Sequence, residues 1–261
     1  MGKSTLVAGP FIGEMGWELF CWQGRVRRLA KEYDNVHIFC REGHEVLYED
    51  FAEVNNMRIA YGTCDGNRDK SAHVISANEG VVGYDRKWTH IQCRNKGFYE
   101  QDFIPLGKPL GGVPSVILHA RARTHRSGDN WGKANYIELI ALLHRAGIQV
   151  GTIGHLDHTE DLSVDKDYRG LPLRDVCNIL SSTKCLVGTS SGPIHLGSLC
   201  KTPHVVLTAD GNIRRYNCHW NPFLTAFRMP AGGWHPKPSE VFKHTVDLVE
   251  GGAFNKNGTI K

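Results

Sequence analysis

Cys185-Leu186-Val187-Gly188-Thr189-Ser190-Ser191-Gly192-Pro193-Ile194-His195-Leu196-Gly197-Ser198-Leu199-Cys200 is the stretch whose pattern decides how this chain folds. An apolar run closed by Gly188 has the character of a fully buried strand. Pro193 suits the first position of a helix, where its missing N–H and fixed φ do no harm. Ser190, Ser191 and Gly192 then form the turn between strand and helix. Free backbone N–H groups and the positive end of a helix dipole make such a turn able to hold a diphosphate. The competing explanation is local, a serine that merely caps the helix.

Working outward, the same alternation recurs. His204 to Leu207 reads as the next strand, and Ser239 to Glu250 as a final helix. Upstream, Ser115 to Ala120 is an apolar strand, followed by a helix with Tyr136, Leu139, Ile140 and Leu143 on one face. Gly147 stops that helix, Gln149 to Ile153 forms a strand, and Leu173 to Ser181 a helix. Nearer the start, Thr5 to Ala8 is a strand ended by Gly9-Pro10. A helix begins near Gly16-Trp17-Glu18, with Leu19, Trp22, Val26 and Leu29 on its apolar face. Val36 to Cys40 reads as a strand, Glu45 to Val54 as a helix, and Arg58 to Tyr61 and His73 to Ile75 as short strands. Strands alternating with helices predict parallel sheets covered by helices. Residues 106–114 hold three glycines and two prolines, which continue neither a helix nor a central strand. The expected architecture is therefore α/β, with two Rossmann-like domains, 1–108 and 109–261, facing a cleft. A single large α/β domain is the alternative.

Composition narrows the function classes. The 261 residues are 41% hydrophobic and 22% charged, the balance of a soluble globular protein. No apolar run reaches the roughly 18 residues that would span a bilayer. Net charge is +4, too mild to signal nucleic-acid binding yet suited to an anionic ligand. The eight cysteines show no C-x-x-C spacing, so neither zinc nor a disulfide framework is expected. His155-x-x-His158 has a possible metal spacing but no evident third ligand, and a solvated loop explains it. Gly2-Lys3-Ser4 copies the end of a P-loop, but the strand that should precede it follows instead. With no basic-then-apolar leader in view, the expected compartment is the cytoplasm. The 29 glycines, an excess, gather at strand-end turns and in the 106–114 linker.

The stretch from Asn130-Trp131 to Leu207 resembles the heptosyltransferase family, glycosyltransferases of the GT-B fold. Four features in register carry the resemblance: Asn130-Trp131 before the helix Tyr136 to Ala146, the strand Gly147 to Gly154, the segment Gly170 to Leu180, and Val187 to Leu196 with Thr202-Pro203 beyond. It implies a nucleotide-diphospho-sugar donor, inverting chemistry with no metal or cofactor, and Ser191, Gly192 and His195 at the phosphates and sugar, beside Ser190 of the same turn. Where the family pattern has Asp and Lys, this chain has Ser190 and Asp129. Arg121, Arg123 and Arg126 follow the first strand of the second half and could neutralise a leaving diphosphate. Arg214 and Arg215 are a weaker second group of cations.

The resemblance also places a base for the acceptor hydroxyl at Gly13-Glu14, inside the loop Gly9 to Glu18, where Gly16 and Trp17 complete the acceptor side. Glu18 is the rival carboxylate, though a first-turn helix position explains it without chemistry. His119 and His125 are spare acid/base candidates. The leading expectation is an inverting hexosyl- or heptosyl-type glycosyltransferase acting on a glycan, lipid-linked or nucleic-acid acceptor. The Ser190 and Asp129 departures motivate a second, a non-catalytic sugar-nucleotide or phosphoglycan binder. A third, transfer to nucleic acid, would draw on a basic rim of Arg25, Arg27 and Arg28 together with the 121–126 arginines.

Overall fold

The computed structural model describes residues 5–11, 14–58, 79–84, 87–92, 101–124 and 126–251, with backbone alone for the strands after residue 78 in the first half and for Cys218 and His219. The chain divides between Ile104 and Pro105 into two units.

The first unit opens with β1 (Thr5–Ala8), whose Leu6 and Ala8 are buried. The helical segment after it runs through α1 (Met15–Trp17), a π-helical turn (Glu18–Trp22) and α2 (Gln23–Ala30). Of the predicted apolar face, Leu19, Trp22 and Val26 are fully buried, with Phe20 beside them, while Leu29 is only half-buried. Next come β2 (Asn35–Arg41) and β3 (Glu53–Met57), both parallel to their neighbours. The expected helix over 45–54 is not formed: a single 3₁₀ turn (Glu45–Leu47) leads into β3. Leu47 and Tyr48 are buried there, giving the spacing of a helical face over one turn only. Two further strands, β4 (Glu79–Tyr84) and β5 (Lys87–Gln92), form an antiparallel pair, and β4 lies antiparallel to β1. The sheet order is β3-β2-β1-β4-β5, mixed rather than wholly parallel. Arg58 lies outside any strand, and residues 59–61 and 73–75 fall outside the described residues.

The second unit contains β6 (Val116–His119), α3 (Lys133–Arg145), β7 (Val150–Thr152), β8 (Lys166–Asp167) and α4 (Leu173–Leu180), then β9 (Cys185–Thr189), α5 (Gly192–Leu199), β10 (His204–Leu207), β11 (Phe227–Arg228) and α6 (Pro238–Val249). All its strand pairs are parallel, in the order β11-β10-β9-β6-β7-β8. Renumbered from β6, that is the doubly wound order 3-2-1-4-5-6. Burial on both faces explains the continuous apolar runs in its sequence. Val116, Leu118, Val187, Val205 and Leu207 pack with Tyr136, Leu139 and Leu143 of α3 and Val241 and Leu248 of α6. Ile117, Leu186 and Val206, alternate residues of the same strands, are equally buried. Leu186 meets α5 at Gly197.

Candidate functional site

In a doubly wound sheet, ligands bind beyond the carboxyl ends of the strands, where the strand order reverses. In the second unit that point lies between β6 and β9, which pair directly from Val116↔Cys185 to His119↔Gly188. Gly188 permits the approach there: a Cβ at this position would stand 2.6 Å from the His119 carbonyl oxygen. The two strand ends place His119 and Arg121 beside Ser190, Ser191 and Gly192.

Ser191 occupies the N-cap of α5, yet its side chain makes no capping bond. The hydroxyl instead donates to the Thr189 carbonyl at 2.9 Å and lies 3.1 Å from His119 Nδ1. With that proton committed, the imidazole N–H is the donor to Ser191 Oγ. The simple capping explanation therefore does not account for this serine. Ser190 is buried, its hydroxyl 2.7 Å from the Tyr216 hydroxyl. Burial, with Arg121 nearby, pushes the His119 pKa down to about 3, so the ring is neutral near pH 7.

The arginines converge on one carboxylate. Asp129 Oδ2 lies 3.9 Å from Arg121, 3.4 Å from Arg123 and 3.5 Å from Arg126. Arg121 also donates to the Ser190 carbonyl at 3.2 Å and to the Asp129 carbonyl, and stands 5.5 Å from the Trp234 ring. It thus ties the 121–130 loop to the turn before α5. Burial, then repulsion by Arg123, lowers its pKa to about 10, still charged at neutral pH. Exposure rises along the set, with side chains 6% exposed at Arg121, 26% at Arg123 and 56% at Arg126. The loop is pinned by Asn130, whose Nδ2 donates to the Arg123 carbonyl at 2.8 Å. Trp131 anchors its far end, donating from Nε1 to the Pro236 carbonyl at 2.8 Å and standing edge-on to Tyr136. Three cations and one anion beside a helix N-terminus suit a ligand with concentrated negative charge.

Other expected residues are placed differently. His195, expected at the phosphates, is 2% exposed and stacks on Tyr216 at 5.0 Å and edge-on to Trp220 at 4.6 Å. It belongs to the packing beneath the turn, because the buried face of α5 turns it inward. Desolvation holds its pKa well below the usual histidine range. His125 and Gly13 lie outside the described residues. Arg215 stacks over Trp220.

In the first unit, Glu14 is half-buried at the N-cap of α1, its carbonyl accepting from the amides of Trp17 and Glu18. Gly16 and Trp17 are half-buried in the same turn. Glu18 is 1% exposed, which removes it as a rival base open to substrate. It accepts from the Tyr48 hydroxyl at 2.8 Å and from His44 Nδ1 at 2.7 Å, with Arg41 Nη1 at 3.8 Å. Trp22 is core. The basic rim is also incomplete: Arg27 is buried, paired with Asp50, bonded to the Leu47 carbonyl and stacked over Phe51. Tyr216, Trp234, His44 and Tyr48 carried no local sequence signal, since their partners lie 26 or more residues away.

No protein-family model matches the sequence, and no curated protein does. Solved structures do. Heptosyltransferase II of E. coli, named for ADP-heptose and lipopolysaccharide, superposes with a TM-score of 0.55 at 13% identity, over 94% of this chain and 97% of that one. The chain is heptosyltransferase-like in fold. A family 9 glycosyl transferase from Veillonella parvula gives 0.52 at 12% identity, over 94% and 96%. The iron-containing dodecameric glycosyltransferase TibC of enterotoxigenic E. coli gives 0.52 at 16% identity. This heptosyltransferase-like chain covers 88% of itself in that match but spans only 63% of TibC. TibC has also been solved in complex with ADP-D-β-D-heptose. Among the described residues of this chain, no three His, Cys, Asp or Glu side chains form a group able to hold a metal ion. Among them also, no helix is long and apolar enough to cross a membrane.

Proposed function

We propose that this chain is a glycosyltransferase that moves a sugar from a nucleotide-diphospho-sugar to an acceptor hydroxyl with inversion at the anomeric carbon. The observation that carries the reading is the grouping of Ser191, Gly192, Arg121, Arg123 and Arg126 at the strand-order reversal of a heptosyltransferase-like fold. In this mechanism residues 109–261 bind the donor and residues 1–108 the acceptor. Glu14 takes the proton of the acceptor hydroxyl as its oxygen attacks the anomeric carbon. The bond from that carbon to the diphosphate breaks, and the electron pair leaves with the diphosphate. Arg123 and Arg126 hold the departing charge, while Arg121 fixes the turn from below. A neutral His119 supports the Ser191 hydroxyl rather than moving a proton. The compartment that suits this chemistry is the cytoplasm.

The test is Glu14→Gln, assayed with radiolabelled nucleotide-sugars against glycan, lipid-linked and oligonucleotide acceptors. Turnover should fall at least about a hundredfold while donor binding changes little, the usual weight of a general base. A variant keeping most of its turnover removes Glu14 from the mechanism. A second reading, a non-catalytic sugar-nucleotide binder, is favoured by the Ser190 hydroxyl, which is engaged by Tyr216 where the family pattern has a carboxylate. Tight donor binding by the native chain, with no transfer to any acceptor class, would select that reading.

A further inference from the structure

Asp129 is the odd member of the arginine cluster. It is a carboxylate at the heart of a site whose ligand is an anion, and its side chain is only 18% exposed. Its carboxylate reaches all three guanidiniums through one oxygen, Oδ2, and its carbonyl accepts from Arg121. The surrounding loop is built to keep it there. The Arg126 backbone, at φ 53°, turns the chain into the 3₁₀ segment Ser127–Asp129, and the His235 ring bonds the Gly128 carbonyl at 2.8 Å. Without Asp129 three like charges would face one another across a few ångströms. With it, the cluster carries a net charge of two rather than three.

We propose that Asp129 sets the charge preference of this site: it trims the cluster so that the site holds the nucleoside diphosphate left after transfer less strongly, relative to the nucleotide-diphospho-sugar, than three unopposed arginines would. The inference rests on the donor reading above and adds a specificity role to it. A diphosphate esterified at both ends carries about two negative charges, whereas one with a free terminal phosphate carries about three near pH 8, because that phosphate loses its second proton near pH 6. Both ligands meet the same guanidiniums, so contacts alone do not separate them. Removing the Asp129 charge strengthens the hold on each ligand in proportion to the ligand's own charge. The product therefore gains more than the donor, by on the order of tenfold for the extra charge at low salt. Release of the product is thus served by a residue that touches arginines rather than substrate. Asp129 is a positioning and specificity residue, not a catalytic one.

The experiment is titration calorimetry of the full chain at pH 8 with three probes: ADP, ADP-D-β-D-heptose and inorganic pyrophosphate. The native chain, Asp129→Asn and Asp129→Glu are compared at low and high salt. Asp129→Asn should shift the affinity ratio toward ADP by about tenfold, shrinking at high salt, and Asp129→Glu should keep the native ratio. Arg126→Gln, at the most exposed arginine, should move the ratio the opposite way, and it keeps the idea testable if Asp129→Asn does not fold. Equal changes for ADP and ADP-heptose in a folded Asp129→Asn, or an unmoved ratio in Arg126→Gln, would overturn the charge role while leaving the donor reading intact. A native chain that binds none of the three probes would overturn the donor reading, and this inference with it.

Discussion

Acidification should destabilise the second unit well before its carboxylates are neutralised. His119, His195 and His204 are each no more than 6% exposed, and burial lowers each pKa: to about 3 for His119, to about 4 for His204, and well below the ordinary 6.5 for His195. The sign follows from which state binds the protons. In the unfolded chain these rings titrate near 6.5, while in the fold they stay neutral. Lowering the pH below 6.5 therefore favours the unfolded chain, and the loss continues down to about 4 for His204 and about 3 for His119. At pH 5 keeping His119 and His204 neutral costs about 2 kcal/mol each, about 4 kcal/mol together, and His195 adds to the loss in the same direction. A domain of this kind has about 5–15 kcal/mol in all. Amide hydrogen exchange read by mass spectrometry on peptides from β6, β9 and β10 measures the relevant opening directly. Between pH 7.5 and 5.0, opening free energies should drop by several kcal/mol after correction for intrinsic exchange rates. His204→Gln, provided it folds, should flatten the slope by about one proton. A drop below about 1.5 kcal/mol would mean that the three rings charge within the fold, and the argument from burial would fail.

Two further outcomes test the packing. Glu18→Ala should destabilise the first unit by about 3 kcal/mol in urea melts, because it strips a buried carboxylate from Tyr48, His44 and Arg41; Tyr48→Phe should cost only about 1 kcal/mol. A Glu18→Ala variant as stable as the native chain would count against the network. Gly188→Ala should cost about 2 kcal/mol or more and weaken donor binding, since its methyl meets the His119 carbonyl; unchanged melting and binding would show that β6 and β9 can part there at no cost.

The second unit was readable because parallel strands buried on both faces leave apolar runs, and Pro193 and Gly147 mark where helices start and stop. In the first unit β1, β2 and the helical segment between them were readable from their apolar residues, although these strands bury alternate positions rather than both faces. β3 is an edge strand with exposed Glu53, Asn56 and Met57, so no apolar run announced it, and the buried Leu47 and Tyr48 before it imitated a helix. At the site, Ser191, Gly192 and the arginines could be found from spacing and charge because they flank strand ends. The roles of Glu18 and His195 could not. Glu18 is claimed by partners 26 and 30 residues away, and His195 by aromatic rings that lie far along the chain. Asp129 stood out only as a departure from a family pattern; its three guanidinium neighbours give that departure a physical meaning.

The parallel pairing of β6 with β9 also bears on when the site comes into being. Val116 and Cys185 are register partners, and every residue between them must be in place before they meet. Neighbouring parallel strands cannot be joined by a tight hairpin, and contacts so distant along the chain form slowly. During synthesis the β4–β5 pair of the first unit can zip as soon as it emerges, since Tyr84 and Lys87 are only three residues apart. The hydroxyl of Ser191, by contrast, has only the local Thr189 carbonyl until His119 has been carried across by that late pairing. A nascent chain should therefore complete the turn proposed to hold the donor in a single late step, after β9 has joined the sheet.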